Sequence, residues 1–192
     1  AGGDLLVSSQ TGSGKTAAFL LPLFHNLINK PSPDTETRAL ILVPTRELAN
    51  QVLENCKQIG QFSHIKSICI TGGEEFKVQA AMLRKNPEII IATPGRLTDH
   101  IVRKSIILTD IEFLILDEAD RMLYMGFSED IERVAKECPD LRPTWLFSAT
   151  MNAKGLGAIT RELLNKPYVV DTHIDEAPQR ISQFRILADD TK

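Results

Sequence analysis

Leu5-Leu6-Val7-Ser8-Ser9-Gln10-Thr11-Gly12-Ser13-Gly14-Lys15-Thr16 sets the terms for the rest of the chain. Leu5-Leu6-Val7 reads as a short buried strand, and the glycine-rich turn behind it opens into the apolar segment 17–24, which reads as a buried helix. Strand, glycine turn and helix form the context in which such a turn cradles phosphate. Gly12 and Gly14 remove side chains where backbone N–H groups, those of Thr11 and Ser13 among them, must close on phosphate oxygens. Lys15 can reach the β- and γ-phosphates, and Thr16 offers a hydroxyl to Mg2+. The helix that follows favours negative charge at its start. A plain glycine turn is the competing reading, and Ser9 stands where the general pattern has glycine. Context together with Gly14-Lys15-Thr16 favours a bound nucleotide but leaves its chemistry open.

The whole composition bounds what that chemistry can be part of. With 192 residues, 43% of them hydrophobic and 24% charged, the chain fits one globular domain with a single core. The apolar runs stop well short of the ~18 to 20 residues that span a bilayer, and the first residues do not read as a leader, so no membrane association is expected. Cys56, Cys69 and Cys138 are widely spaced and odd in number, which speaks against a disulfide framework or a zinc site and for a reducing compartment. The net charge is −3, from 22 Lys and Arg against 25 Asp and Glu, so any contact with nucleic acid must come from local groups rather than a global field.

Outward from the loop the pattern alternates. Pro22 is expected to kink the first helix, and Pro31 and Pro33 close the connection behind it. Residues 38–43 (RALILV) read as a strand covered on both faces, ended by Pro44. Leu48, Val52, Cys56 and Ile59 recur at helical spacing and predict a helix over 46–62. Strand 65–70, a turn at Gly72-Gly73, helix 76–83, strand 88–92 and a helix over 95–102 follow. Then come strand 113–116, a helix marked by Phe127, Ile131, Val134 and Ala135, strand 145–147, a helix over 153–164 and strand 168–170. About seven strands with intervening helices predict an α/β fold, a mostly parallel sheet with helices on both faces. Residues 1–172 are expected to form this domain. Residues 173–192, around the apolar patch 181–187, read as an edge strand leading out of it or as a frayed terminus.

The chemistry-bearing residues share one address, the carboxyl ends of the predicted strands, where open α/β sheets place their ligands. Asp117-Glu118-Ala119-Asp120 puts three carboxylates there. Mg2+ on a nucleotide accounts for them economically, with Asp117 holding the ion, partly through water, and Glu118 orienting the attacking water. A solvated acidic turn or helix cap is the alternative. Pro44-Thr45-Arg46-Glu47-Leu48-Ala49, Gly72-Gly73, Thr93-Pro94-Gly95-Arg96 and Ser148-Ala149-Thr150 occupy other strand ends. Hydroxyls, exposed backbone N–H groups and single arginines without aromatic neighbours suit a sugar–phosphate backbone and do not read bases. Taken singly, Thr45 and Thr93 also serve as helix caps, Arg46 as an ion-pair partner and the glycines as turn residues.

This ordered set of six motifs resembles the DEAD-box RNA helicases and covers most of residues 4–150. The resemblance implies a RecA-like fold and ATP-dependent RNA unwinding. It assigns Thr11, Gly12, Ser13, Gly14, Lys15 and Thr16 to ATP, Thr16 and Asp117 to Mg2+, and Lys15, Asp117 and Glu118 to hydrolysis. Pro44, Thr45, Arg46, Gly73, Thr93, Pro94, Gly95 and Arg96 would line the RNA backbone. Asp120, Ser148 and Thr150 would couple the two sites, with Ser148 near Asp120. Ser9 stands where alanine is common in that family, Tyr124 where aspartate is common, and Trp145 where an aliphatic is usual.

The resemblance further implies an adenine-reading glutamine motif upstream and a second RecA-like domain in cis, both expected outside these residues. The isolated piece is then expected to be a monomer of little activity. Its location is expected to be the cytoplasm, in a bacterial type, or the nucleus or nucleolus in a eukaryote. A non-catalytic nucleotide- or RNA-binding scaffold and a P-loop kinase or GTPase are the rival classes. Lys15, Asp117 and Glu118 speak against the first, and the turns at Thr45 and Thr93, in place of a lid or guanine-reading residues, against the second.

Overall fold

The computed structural model describes residues 3–10, 14–30 and 37–172. Among them, β1 (Leu5–Ser8), β2 (Ala39–Leu42), β3 (Ser67–Ile70), β4 (Ile89–Ala92), β5 (Phe113–Leu116), β6 (Thr144–Ser148) and β7 (Tyr168–Asp171) form one sheet in the order β3-β4-β2-β5-β6-β1-β7. Every adjacent pair is parallel. Parallel strands need crossovers, and the chain supplies them as α1 (Lys15–Asn29), α2 (Arg46–Gly60), α3 (Phe76–Leu83), α4 (Pro94–Val102), α5 (Ala119–Tyr124), α6 (Ser128–Glu137) and α7 (Leu156–Leu163). The expected α/β architecture, a parallel sheet of seven strands with helices on both faces, is the observed one.

The central strands read as unbroken apolar runs because both of their faces are covered. Leu40, Leu42, Ile90, Ala92, Leu114, Leu116 and Leu146 point to one side, where Leu83, Leu97, Met122, Ile131 and Leu156 of α3 to α7 pack on them. Ala39, Ile41, Ile89, Ile91, Ile115 and Phe147 point to the other, under Phe19, Leu23 and Phe24 of α1 and Val52 and Cys56 of α2. The pleat thus divides the interior into two apolar layers.

Several expectations need correction. The first helix is amphipathic rather than buried all round: Leu21 and Ile28 are 57% and 45% exposed while Phe19, Leu20, Leu23 and Leu27 are fully covered. Pro22 lies inside this helix without ending it, and the Asn26 side-chain amide donates to the Pro22 carbonyl. Helix α5 was not anticipated, because six residues carry too little periodicity to register as a helix. The last helix begins at Leu156 rather than 153, since Gly155 adopts a left-handed conformation just before it. Trp145 proves structural: its indole N–H donates to the Gly3 carbonyl and its ring tilts against Phe113. The readings of Pro31, Pro33 and of an edge strand within 173–192 lie outside the described residues.

The segment before β1 ties the last strands into the sheet. The Asp4 carboxylate accepts from the Thr144 and Asn165 amides at 2.8 and 2.5 Å, and its carbonyl accepts from the Tyr168 amide. Replacing Asp4 by alanine orphans the Thr144 amide, which is buried, and the Asn165 amide. Asp4→Ala is expected to lower the unfolding free energy by about 2 kcal/mol, read from urea denaturation.

Candidate nucleotide and nucleic-acid site

The strand register builds the site. Ser8 pairs with Ser148, Leu42 with both Ala92 and Leu116, and Ile70 with Ala92. β2, β3, β4 and β5 end level, and β6, β1 and β7 run two residues further, since Leu116 pairs with Leu146 while Ser8 pairs with Ser148 and Asp171. The residues that follow these ends are brought to one stepped edge, however far apart they lie in sequence.

At the β1 end, Gly14 adopts φ +82°, a conformation that favours glycine, and α1 begins with the next residue. The first turn of α1 carries no acidic side chain, so its free N–H groups retain their positive character. Lys15 is buried, and its ammonium donates to the Ser9 carbonyl at 3.1 Å. Thr16 follows it, half-buried. The hydroxyls of Ser8 and Ser9 are buried without a hydrogen-bond partner among the described residues. Thr11, Gly12 and Ser13 lie outside the described residues.

At the β5 end, Asp117 is buried, and one of its carboxylate oxygens accepts from the Glu118 amide at 3.0 Å. Burial pushes its pKa up to about 6, against the pull of Lys15 and with a further push from Glu118. Glu118 holds a left-handed backbone, φ 52° and ψ 49°, at the cap of α5, and its carboxylate meets the Arg121 guanidinium at 3.2 Å. Among the described residues no group of three or more His, Cys, Asp or Glu side chains could enclose a metal ion. The donor set fits the other way of holding Mg2+, by one carboxylate, a hydroxyl, water and the phosphates of a nucleotide. The orphaned serine hydroxyls and the strained charge on Asp117 mark the place as polar and unsatisfied, as such a ligand requires.

The second half of the edge lies over β2, β4 and β3. The Thr45 hydroxyl caps α2 by accepting from the Leu48 amide at 3.3 Å, and Pro44 before it is buried. Arg46 reaches across to the Gly72 carbonyl, and Arg96 donates to the Glu74 carbonyl at 2.9 Å. Gly73 has φ +86°, which favours glycine, and a Cβ placed there would displace the Arg46 guanidinium from its place against the turn. Thr93 and Pro94 begin α4, and the Thr93 side chain makes no capping bond, which leaves its hydroxyl and the first N–H groups of that helix available. Gly72, Thr93, Gly95 and Arg96 line a surface hollow of about 330 Å³ together with Asp99 and Phe127. Asp99 and Phe127 were missed as neighbours of this hollow. Phe127 reads as a core marker in sequence, and its contact with Gly95 crosses two elements.

The two halves meet at α5 and β6. Asp120 accepts from both the amide and the hydroxyl of Thr150, at 3.1 and 3.0 Å. The Ser148 hydroxyl donates to the Thr150 carbonyl at 2.6 Å. The expected neighbour of Asp120 was Ser148. Thr150 makes the hydrogen bonds to Asp120, and Ser148, the last residue of β6, joins them through its bond to the Thr150 carbonyl.

A parallel α/β domain, with a buried lysine opening the helix after β1, a buried carboxylate at the β5 end and a polar, basic turn cluster further along the same edge, is what fold and site define. Residues 1–158 match the family model of the DEAD/DEAH box helicases, and the chain belongs to that family. It is 52% identical over 152 residues to a protein of Dictyostelium discoideum described as a probable ATP-dependent RNA helicase ddx27, covering 79% of this chain and 19% of that one. It is 48% identical to the ATP-dependent RNA helicase CshA of Listeria monocytogenes, over 78% of this chain and 28% of that one. A crystal structure described as a hypothetical ATP-dependent RNA helicase from Sulfolobus tokodaii superposes with a TM-score of 0.78 at 33% identity, over 88% of this chain and 48% of that one. The chain thus spans less than half of each of these relatives.

Two outcomes follow from this geometry. Gly73→Ala forces a side chain into the left-handed region and against Arg46, and is expected to destabilise the chain by about 1 to 2 kcal/mol in urea. Asp117 has a folded pKa of about 6, above its ordinary 3.8, so the folded state binds this proton more tightly than the unfolded chain. Its stabilising contribution is complete below the ordinary value and is lost as pH rises through about 6. With chelator and without nucleotide, Asp117→Asn is expected to melt above the unsubstituted chain at neutral pH, with the gap closing on acidification through that range.

Proposed function

We propose that this chain is the ATP-binding part of an ATP-dependent RNA helicase, in which ATP hydrolysis is coupled to RNA binding and local duplex unwinding. The observation that carries the reading is the single sheet edge. It sets a buried lysine and a buried carboxylate at one end, a cluster of glycine turns, threonines and arginines at the other, and the Asp120–Thr150 pair between them. The names of the relatives support it.

In this reading Thr11 to Thr16 hold the phosphates of ATP, Lys15 neutralising charge on them. Thr16 and Asp117 hold Mg2+, which supplies charge neutralisation of the phosphates and a fixed orientation of the nucleotide. Glu118 orients the attacking water and accepts its proton. Glu118 sits at a left-handed turn capping α5, and the Arg121 guanidinium donates to its carboxylate. Pro44, Thr45, Arg46, Gly73, Thr93, Pro94, Gly95 and Arg96 contact the RNA backbone without reading bases. Asp120, Ser148 and Thr150 carry the state of the nucleotide to that surface.

Residues 1–172 act as the ATP-binding domain, and 173–192 lead toward a second RecA-like domain in cis that completes both sites. Cys56, Cys69 and Cys138 are buried free thiols, which suits a reducing compartment such as the cytoplasm. Among the described residues no helix is long and apolar enough to cross a membrane.

Glu118→Gln keeps size and backbone shape but removes the base. In the full-length parent it is expected to retain ATP binding and lose RNA-stimulated turnover by a factor of order 100 or more in a steady-state ATPase assay. Unchanged turnover removes Glu118 from its role. The 192-residue chain alone is expected to hydrolyse ATP at a rate barely raised by RNA, since charge-stabilising arginines from outside contribute factors on the order of 10³ or more. Filter binding should favour ATP over GTP and RNA over DNA. Binding of nucleotide with no turnover in the parent would instead indicate the scaffold.

A further inference from the structure

We propose that Gln79 and His100 are positioning residues for the RNA-facing end of the edge, tying the turn at 71–74 through α3 to the last turn of α4 so that the Gly72-Gly73 backbone and Arg96 meet one ligand at fixed spacing. The proposal rests on the RNA-backbone reading above and extends it to two buried side chains with no ligand contact of their own.

Gln79 and His100 are both fully buried, although neither type belongs in an apolar interior without partners. The Gln79 amide nitrogen donates to the Thr71 carbonyl at 2.7 Å, and its oxygen lies 3.0 Å from His100 Nε2. Thr71 immediately precedes Gly72, and its carbonyl only accepts. That fixes the amide orientation: nitrogen toward the turn, oxygen toward the imidazole. The imidazole must then carry its proton on Nε2. Its Nδ1 is left to accept from the Ser105 hydroxyl at 2.7 Å, and the His100 carbonyl, 3.0 Å from that hydroxyl, takes the Ser105 amide N–H instead. The ring is stacked on Phe76 at 4.1 Å between centroids, and the Arg103 guanidinium lies over that phenyl ring. Burial pushes the His100 pKa below its ordinary value, Arg96 and Arg103 add to the fall, and Asp99 opposes it, which keeps the ring neutral as the network requires.

Arg96 and His100 lie one turn apart on α4, so they reach the same target by separate routes. Arg96 bonds directly to the Glu74 carbonyl, and His100 acts through Gln79 on the Thr71 carbonyl. Between these two anchors sit Gly72 and Gly73, which have no side chains to restrain them and Gly73 a positive φ. A glycine pair is the costliest kind of backbone to order, and a ligand that binds it pays less when the turn is already held. Two leucines would pack α3 on α4 as well. A fully satisfied buried polar string adds direction, which packing alone lacks.

The test titrates the isotopically labelled 192-residue chain by NMR with a short oligouridylate and, separately, with Mg·ADP. Gln79→Glu, which cannot donate to the Thr71 carbonyl, and His100→Phe are expected to weaken oligouridylate binding roughly tenfold and leave Mg·ADP affinity unchanged. His100→Gln, whose amide nitrogen can stand in for Nε2, should bind close to the unsubstituted chain. The His100 ring nitrogens should report a neutral Nε2–H tautomer. An Nδ1–H tautomer overturns the proposal, as does equal loss of both ligands, which marks a general structural role. If Arg96→Ala weakens oligouridylate binding and Gln79→Glu does not, the positioning role falls and the RNA reading stands. If neither does, both fall together.

Discussion

A parallel sheet whose strands end within two residues of one another imposes one constraint on everything built upon it: the turns that follow those ends must share a narrow strip of surface. The strip also gathers the positive starts of several helices, because each crossover helix begins where a strand stops. Anionic ligands are thus favoured before any side chain is chosen. The side chains then divide the strip. Near β1 and β5 they are few and buried, and near β2, β3 and β4 they are exposed and tied to backbone carbonyls. Two anions of different kinds, a compact polyphosphate and an extended chain of phosphates, fit such a division.

Electrostatics at the compact end explain why the apo chain is tense there. Asp117 is deprived of water more than it is compensated by Lys15, and the lysine ammonium leans on a carbonyl while serine hydroxyls stand nearby without partners among the described residues. Each of these groups would gain from a charged, hydrated ligand, since the partners the protein gives Lys15 and Asp117 compensate their burial only in part. The extended end is different: its arginines are already committed to the 72–74 turn, so their first task is to shape backbone, and a ligand meets a surface prepared in advance.

Much of this was legible in the chain itself. Apolar runs such as residues 38–43 and 88–92 carried the double-sided burial of the central strands, and the Gly14-Lys15-Thr16 step marked where a strand end passes into a helix. Boundaries drifted where a backbone conformation, rather than a pattern, decided them, as at Gly155 and Glu118. Six residues of α5 gave no period to read. Long-range pairings left no local mark: nothing in the letters at 79 and 100 tells that one glutamine bridges a histidine to a carbonyl, because that contact depends on how α3 and α4 settle on the sheet. The bonds that join Asp120 to Thr150 and Thr150 to Ser148 have the same long-range origin.

Glu118 occupies a left-handed backbone well that glycine and asparagine enter with far less strain. A chain selected for stability alone would drift toward those residues at this position, and in doing so would shed the carboxylate that the proposed chemistry requires. The presence of glutamate there, against its backbone preference, makes position 118 a place where folding and turnover pull in opposite directions. Laboratory enrichment for thermal resilience in this protein should therefore be expected to erode that carboxylate early.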